Sequence, residues 1–206
     1  MASELFPVIS IVVPAYNEAK NLAEFNRRLT KVMNLSGESW EVIFVDDGSQ
    51  DGTLAALRQL RHVDTHVAIL SLSRNFGKEI AITAGLDHSR GEAVVIMDAD
   101  LQDPPELIPE LLSCWRQGFD TVCARRSERK GDTWTKKATA AAFYKLIGNV
   151  ASVRIPPDTG DFRLISRRVV EALKTLREQH RCGISQPDVG HPVPWRRATR
   201  DAGRDR

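Results

Sequence analysis

The stretch at residues 94–105, VVIMDADLQDPP, decides the fold, because a short apolar run breaks into three acids and a glutamine. Residues 94–97 are rich in β-branched side chains, which predicts a strand buried on both faces, as in a parallel sheet. Side chains alternate between the faces of a strand, so Asp98 and Asp100 point the same way where this strand ends. Gln102 follows them if the chain stays extended.

Two carboxylates this close repel each other unless a cation joins them. Oxygen ligands suit Mg²⁺ or Mn²⁺, with a diphosphate completing the shell, better than zinc, which prefers His and Cys. The alternative is a solvated acidic turn before the helix that Pro104 and Pro105 begin. Asp103 fits this alternative, since it stands where an N-cap residue is expected. The residues themselves leave both interpretations open.

Composition sets the limits for the rest of the chain. Its 206 residues suffice for one α/β domain with an appendage. The longest stretch without a charged residue, residues 5–17, is too short to span a bilayer, and the first six residues do not form a secretory signal. The cysteines are odd in number and widely spaced, which predicts reduced thiols in a cytoplasmic compartment; they are Cys114, Cys123 and Cys182.

The net charge of +2 hides a marked asymmetry. Residues 1–121 contain 10 Lys and Arg against 18 Asp and Glu, whereas residues 122–206 contain 19 against 9. A basic half of this size predicts an anionic partner, which can be a phosphate, a lipid head group or a nucleic acid.

Apolar runs alternate with amphipathic stretches, which predicts an α/β fold. Strands are expected at residues 9–13, 40–45, 67–72, 94–97 and 121–124, with a short one before a helix at residues 166–176. Pro14 is expected to end the first strand. Acids also follow the second strand, beginning with Asp46 and Asp47. Because ligands bind at the carboxyl ends of parallel strands, we expect the two acid clusters to converge on one crevice. Ordinary turn chemistry is the alternative for residues 46–52.

Basic residues follow two further strands. Arg74 and Lys78 come after the third strand and either reach a phosphate or carry surface charge. Arg125 ends the fifth strand together with Arg126, and their guanidinium groups suit phosphate oxygens. Residues 134–150 read as a basic amphipathic helix that either rests on an anionic bilayer or packs on the core. The glycine-bearing loop around Asp161 is catalytic or a simple turn.

Five motifs resemble the family 2 glycosyltransferases, and they look closest to the polyprenyl-phosphate branch, with its dolichol-phosphate mannose synthases and undecaprenyl-phosphate glucosyltransferases. In order they are VVPAYNE, VDDGSQDGT, LSRNFGKE, MDADLQDPPE and DTGDFRLISRR, and the likeness covers residues 8–181. The resemblance implies a GT-A fold, with a mainly parallel sheet flanked by helices and a C-terminal amphipathic helix region. It divides the chain into a nucleotide-sugar-binding half at residues 1–125, an acceptor region at 126–181 and an atypical, poorly ordered tail at 182–206.

The resemblance also implies a metal-dependent enzyme that inverts the anomeric centre. Its donor is a nucleotide sugar of the UDP-glucose or GDP-mannose type, and its acceptor is a polyprenyl phosphate at the inner face of the cytoplasmic membrane, with no role for nucleic acid. The helix at residues 134–150 then lies along the membrane surface. The oligomeric state stays open, a homo-oligomer included.

Each matching residue receives a role from the resemblance. Those assigned to the base and ribose are Pro14, Tyr16, Glu18 and Asp47. Those assigned to the metal, Mg²⁺ or Mn²⁺, are Asp98, Asp100 and Gln102. Asp98 also touches the donor, Arg125 meets the diphosphate, and Asp161 lies beside the reacting sugar carbon, so these three form the catalytic set.

The end of the chain departs from that branch. Its members continue past residue 181 into an aromatic-rich interfacial segment and two transmembrane helices, whereas this sequence reads CGISQPDVGHPVPWRR. We expect a truncated or frame-shifted end, and a locus with no downstream frame encoding membrane helices would contradict this. Two other functions stay open: a soluble glycosyltransferase with a hydroxyl acceptor, and a non-catalytic nucleotide-sugar-binding remnant. An NAD enzyme is disfavoured, because no G-x-G-x-x-G follows the first strand.

Overall fold

Six strands form one sheet at the centre of the computed structural model, which describes residues 6–125 and 159–175. The strands are β1 Ile9–Ala15, β2 Trp40–Asp46, β3 Val67–Ser71, β4 Ala93–Ile96, β5 Thr121–Arg125 and β6 Thr159–Ser166. Their order in the sheet is β3-β2-β1-β4-β6-β5. The first four are parallel to one another, and β6 runs antiparallel to both β4 and β5. The predicted mainly parallel sheet is confirmed.

Helices cover both faces of the sheet. They are α1 Leu22–Ser36, α2 Thr53–Val63, α3 Lys78–His88, α4 Ile108–Arg116 and α5 Arg167–Thr175, with a 3₁₀ turn at Pro105–Leu107. The apolar sides of α1, α2 and α4 pack on one face, and those of α3 and α5 pack on the other. On the second face a Cβ at Gly85 of α3 would lie 2.3 Å from the Val12 side chain, so this glycine lets α3 lie close against β1.

The central strands are buried on both faces, as continuous apolar runs in parallel sheets usually are. Every residue of β1, β2 and β4 is buried. Phe25 of α1 meets Phe44 of β2 edge to face, with ring centroids 6.0 Å apart. This packing fixes the strands that carry the acid clusters, so the loops after them start from rigid positions.

We call the two sheet edges the amino edge, where the parallel strands begin, and the carboxyl edge, where they end. At the amino edge Glu41 is buried and accepts hydrogen bonds from the Ser10 hydroxyl (2.7 Å) and the backbone N–H of Arg90 (3.0 Å). The Arg90 guanidinium also donates to Glu41, from its Nη2 at 2.8 Å. One carboxylate therefore joins β1, β2 and the turn before β4.

Two local predictions were wrong. Pro14 does not end the first strand but lies inside β1, opposite Val45 of β2. Strand β4 pairs with β1 only as far as Val12, so the missing N–H of Pro14 interrupts no bond to β4. Asp103 is not an N-cap: it is buried, and the residue before the 3₁₀ turn is Pro104, in an extended conformation.

The chain also differs from expectation at two acidic segments. It does not stay extended after β4, because Leu101 adopts a left-handed conformation with φ 63°. The segment around Asp161, expected to be a loop, forms the first half of β6, where sheet pairing overrides the turn preference of Gly and Asp.

Several predictions fall outside the described residues. They concern Arg126, Asp158 at the start of the DTGDFRLISRR motif, the amphipathic helix at residues 134–150, most of the acceptor region at 126–181, and the tail at 182–206 with Cys182. Within the two described ranges, none of the helices combines the length and the apolar character that a bilayer crossing requires.

Candidate functional site

The loops after β1 and β2 are bonded into one wall at the carboxyl edge. The backbone N–H of Asn17 donates to the Ser49 hydroxyl (3.0 Å), and the Asn17 side-chain oxygen accepts from the backbone N–H of Gln50 (2.9 Å). The backbone N–H of Glu18 donates to the Thr53 hydroxyl (2.8 Å). Asn17 itself has φ 57°, a conformation that Asn tolerates better than most residues. The PAYNE and DDGSQDGT motifs therefore form a single surface.

Most of the residues predicted to hold the base and ribose lie on this wall. Pro14 is the second-to-last residue of β1, buried and directly before the wall, and Tyr16 is 40% exposed just beyond the strand. The Glu18 carboxylate accepts a hydrogen bond from the Asn21 side chain (2.7 Å), which holds it at the start of α1. These three residues lie close together along the chain between the end of β1 and the start of α1, and their nucleotide contacts remain a prediction.

Asp47 ties the wall to the loop after β3. It is buried, and its two oxygens accept hydrogen bonds from the backbone N–H groups of Phe76 (2.8 Å) and Gly77 (2.9 Å). The neighbouring Gly48 has φ 67°, and a Cβ there would lie 2.3 Å from the carbonyl carbon of Arg74. Only glycine fits both the conformation and the approach. The exposed Arg74 guanidinium lies over the Phe76 ring, 4.6 Å from its centroid.

The other acids of the second motif accept hydrogen bonds that stabilise the turn after β2. Asp46 is buried and accepts from the Ser49 backbone N–H (3.1 Å) and the Ser71 hydroxyl (3.3 Å). Asp51 accepts from the backbone N–H of Thr53 (2.9 Å), and its hydrogen bond from the Thr53 hydroxyl holds the pKa of Asp51 below its usual value. For these two acids the turn interpretation is confirmed.

Asp98 forms an ion pair with Lys78, the first residue of α3. The Lys78 ammonium nitrogen lies 2.7 Å from one carboxylate oxygen of Asp98 and 2.8 Å from the other. Both side chains are about a third exposed, so solvent reaches the pair. Sequence reasoning did not find this pair. A cation at a helix amino terminus is disfavoured by the helix dipole, and this was the one signal that Lys78 needs an acidic partner.

Asp100 and Gln102 lie on the turn that follows Asp98. The Asp100 carboxylate accepts a hydrogen bond from the backbone N–H of Gln102 (3.0 Å), and the left-handed Leu101 lies between them. Asp100 is partly exposed and Gln102 is exposed. Their oxygen donors are of the kind that hard divalent cations prefer, so the donor set fits Mg²⁺ or Mn²⁺. Among the described residues, no three His, Cys, Asp or Glu side chains are grouped in a way that would hold a metal ion.

The last two predicted site residues reach the same edge on antiparallel strands. In the β4–β6 ladder Ile96 lies opposite Arg163, and Asp161 precedes Arg163 by two residues on β6, toward the carboxyl edge. Arg125 ends β5 opposite Thr159, after an irregularity that follows Cys123. The backbone therefore brings both positions to the carboxyl edge. Strand β6, with Asp161, is next to β4, and β5, with Arg125, lies beyond β6.

The arrangement combines three features at one sheet edge. A partly exposed tyrosine and a glutamate line one side, an ion pair lies at the centre, and an oxygen-rich turn lies beside it. The acids predicted to converge do so, because Asp47 and Asp98 are joined through the loop that carries Phe76, Gly77 and Lys78.

A family model and the similar proteins of known sequence all indicate the same family of glycosyltransferases. The model of Glycosyl transferase family 2 matches residues 10–174. An uncharacterized glycosyltransferase of Synechocystis is 51% identical over 173 residues, covering 84% of this chain and 54% of the relative. A bactoprenol glucosyl transferase of Shigella phage SfV is 44% identical over 172 residues, covering 84% and 56%. The chain spans little more than half the length of these relatives.

Solved structures agree on the fold. A mannosyltransferase from Pyrobaculum calidifontis, in complex with GDP-Man and Mn²⁺, superposes with a TM-score of 0.56 at 23% identity, covering 82% of this chain and 47% of that one. The S. aureus TarS fragment 1–349 gives a TM-score of 0.58 at 18% identity, covering 81% and 49%. At these identities the likeness concerns the fold, and both neighbours have the GT-A architecture expected from the motifs.

Proposed function

Because the chain belongs to glycosyl transferase family 2, we propose that it transfers a hexose from a nucleotide sugar to a polyprenyl phosphate at a membrane surface. The observation that supports donor binding is the convergence of the loops after β1, β2 and β4 on one edge of the sheet. The polyprenyl acceptor is supported by the names of relatives at 44% identity, which are bactoprenol glucosyl transferases.

In this proposal the nucleoside half of the donor lies on the wall made by the first two motifs. Tyr16 offers an exposed ring for the base, and Glu18 offers a fixed carboxylate for hydroxyl groups. Pro14 and Asp47 shape the floor between them. Arg125, at the end of β5, meets the diphosphate, for which a guanidinium group is well suited.

Asp100 and Gln102 would hold the divalent cation, Mg²⁺ or Mn²⁺, together with the donor, and Asp98 beside them would contact the donor. When bound, such an ion stabilises negative charge on a leaving diphosphate. The mannosyltransferase neighbour was solved with GDP-Man and Mn²⁺, which supports the same ion type in this fold.

The chemistry is a single displacement. A lipid phosphate oxygen attacks the anomeric carbon, the new carbon–oxygen bond forms, and the bond to the diphosphate breaks with its electron pair on the leaving group. The attacking phosphate is already anionic at neutral pH, so little general-base assistance is needed. The chain's residues align the two reactants and compensate the charge of the leaving group, and Asp161 stands beside the reacting carbon.

The test uses the 206-residue chain, undecaprenyl phosphate in detergent, Mn²⁺, and radiolabelled UDP-glucose or GDP-mannose in separate reactions. We expect label to enter the organic phase with one of the two donors. A matched variant, Asp100→Asn, should transfer none, and the surface variant Glu110→Gln should transfer as much as the wild type.

Two other results would replace the proposal. Transfer into a water-soluble sugar acceptor, with none into lipid phosphate, would indicate a glycosyltransferase that uses hydroxyl acceptors. Donor binding without any product, with lipid and metal supplied, would indicate a nucleotide-sugar-binding remnant.

A further inference from the structure

We propose that Lys78 is a positioning residue that acts as an internal counter-cation for Asp98, so that the site takes up a divalent ion only together with the donor. The inference rests on the proposed function, because it concerns the order in which metal and nucleotide sugar enter. It assigns to Lys78 a role that the motifs do not indicate.

The position of Lys78 is fixed by contacts on both sides of its loop. Phe76 and Gly77 immediately precede Lys78, and their backbone N–H groups donate hydrogen bonds to the Asp47 carboxylate. Gly77 has φ 97°, a conformation that L side chains rarely adopt, and it directs the chain into α3. Lys78 therefore leaves a rigid loop and reaches across β1 to the end of β4.

The ammonium group engages the whole carboxylate of Asp98. Its nitrogen lies within 2.8 Å of both oxygens. A divalent ion that bound this carboxylate would have to displace the ammonium group from it. The positive charge would also repel an approaching cation across a few ångströms. Lys78 thus weakens the attraction that Asp98 and Asp100 together have for a metal ion in the absence of donor.

Donor binding changes this balance. Asp100 and Gln102 suffice to hold a cation whose charge is already balanced by a diphosphate, while Lys78 keeps Asp98 in place to accept hydrogen bonds from the sugar. The Lys78–Asp98 pair carries no net charge, so it neither attracts a bare cation nor repels the negatively charged donor. The consequence is that Asp98 acts on the donor, and Asp100 is the chief carboxylate for the metal.

The experiment measures binding of Mn²⁺ alone, from the electron paramagnetic resonance signal of the free ion, to the 206-residue chain. In Lys78→Met we expect Mn²⁺ to bind about tenfold more tightly than in the wild type, because the repelling charge is gone. Transfer activity of the same variant should fall. A residue with a purely structural role would not raise the affinity for metal when it is removed.

Matched variants separate charge from packing. Lys78→Arg keeps the charge and should bind Mn²⁺ as the wild type does, as should Lys31→Met, which removes an exposed lysine of α1. In Lys78→Met with Asp98→Asn the gain should disappear. Circular dichroism checks folding, and Lys78→Gln serves if the methionine variant does not fold.

Two outcomes are distinguishable. Unchanged Mn²⁺ affinity in both folded neutral variants, Lys78→Met and Lys78→Gln, would overturn the role of Lys78 while leaving the proposed function intact. A wild-type chain whose Mn²⁺ affinity does not rise with UDP-glucose or with GDP-mannose would overturn the proposed function, whatever the variants show.

Discussion

At the amino edge of the sheet, the Glu41 carboxylate accepts hydrogen bonds from the Ser10 hydroxyl and from the backbone N–H and guanidinium group of Arg90. All of these bonds are 3.2 Å or shorter. At the carboxyl edge, Asp98 is held by an ammonium group, and Asp100 accepts a backbone amide of its own turn. Asp98 and Asp100 are partly exposed, whereas Glu41 is buried. A carboxylate is thus buried and fully bonded at the amino edge, whereas the carboxylates at the carboxyl edge remain accessible to solvent.

The difference teaches how to separate structural from functional acids. The bonds of Glu41 join elements far apart in sequence, Ser10, β2 and Arg90, so its carboxylate stabilises the fold. The bonds of Asp98 and Asp100 come from the loops that surround them, and both acids remain partly exposed to solvent. Variants at the carboxyl edge should therefore lose activity, whereas variants at the amino edge should lose stability.

The largest effect is expected at Asp100. Asp100→Ala should lower transfer activity by roughly 100-fold or more, the loss typical of removing a group that stabilises charge in the transition state. Its melting temperature should stay near that of the wild type, because the carboxylate bonds only the turn that carries it. Near-normal activity in excess Mg²⁺ would refute the assignment of Asp100 to the metal.

The next effect concerns Asp161, in the first half of β6. Asp161→Asn should reduce kcat by at least about tenfold, with little change in donor affinity, because in the proposed function Asp161 lies beside the reacting carbon and acts in the chemical step. Steady-state kinetics alongside calorimetric donor binding measures both. Equal losses in kcat and in affinity would instead identify Asp161 as part of the architecture.

Glu41 tests the other edge. Glu41→Ala removes the acceptor from the Ser10 hydroxyl and from Arg90, and we expect a loss of about 2 kcal/mol in the free energy of unfolding. For a chain of this size that corresponds to a melting temperature lower by about 4–8 °C. Thermal unfolding followed by circular dichroism gives the value. Nucleotide affinity per folded molecule should not change, and a selective loss of donor binding would erase the distinction between the edges.

The smallest effect concerns Asp64, which also lies at the amino edge, just before β3. Burial disfavours its charge, but hydrogen bonds from the His66 backbone and ring and from Asn26 and Thr30 outweigh this, so the pKa of Asp64 lies below its usual value. A carboxylate with a lowered pKa stabilises the fold at neutral pH, and this stability is lost as the pH falls through the folded pKa.

Melting temperatures between about pH 6 and about pH 3, across the usual pKa of aspartate, provide the measurement for Asp64. The wild type should lose more stability over this range than Asp64→Asn, whose side chain does not titrate. Parallel melting curves for the two proteins would show that Asp64 contributes no pH-dependent stability.

Much of this architecture follows from the sequence. Buried parallel strands are continuous apolar runs, so residues 94–97 and 40–45 identified β4 and β2 directly, and the acids after them marked the carboxyl edge. Five motifs in order predicted the family, which the comparisons confirm.

The rest depends on tertiary contacts that local patterns do not encode. The Lys78–Asp98 pair joins residues 20 positions apart, and nothing in either motif specifies the distance between their side chains. The left-handed Leu101 is a conformation that leucine rarely adopts, so an extended chain was the natural expectation. The start of β6 is rich in turn-forming residues, and pairing with β5 outweighs their preference.

The most direct test of the central claim is a thermal-shift screen of the wild-type chain against UDP- and GDP-sugars, each with and without Mn²⁺. A ligand that binds only the native state raises the melting temperature. We predict that one nucleotide class raises it with Mn²⁺ present, and that Asp100→Ala removes the metal-dependent part of the shift while Glu110→Ala retains it. A melting temperature that no nucleotide sugar changes, with or without metal, would contradict the assignment of the carboxyl edge as a donor site.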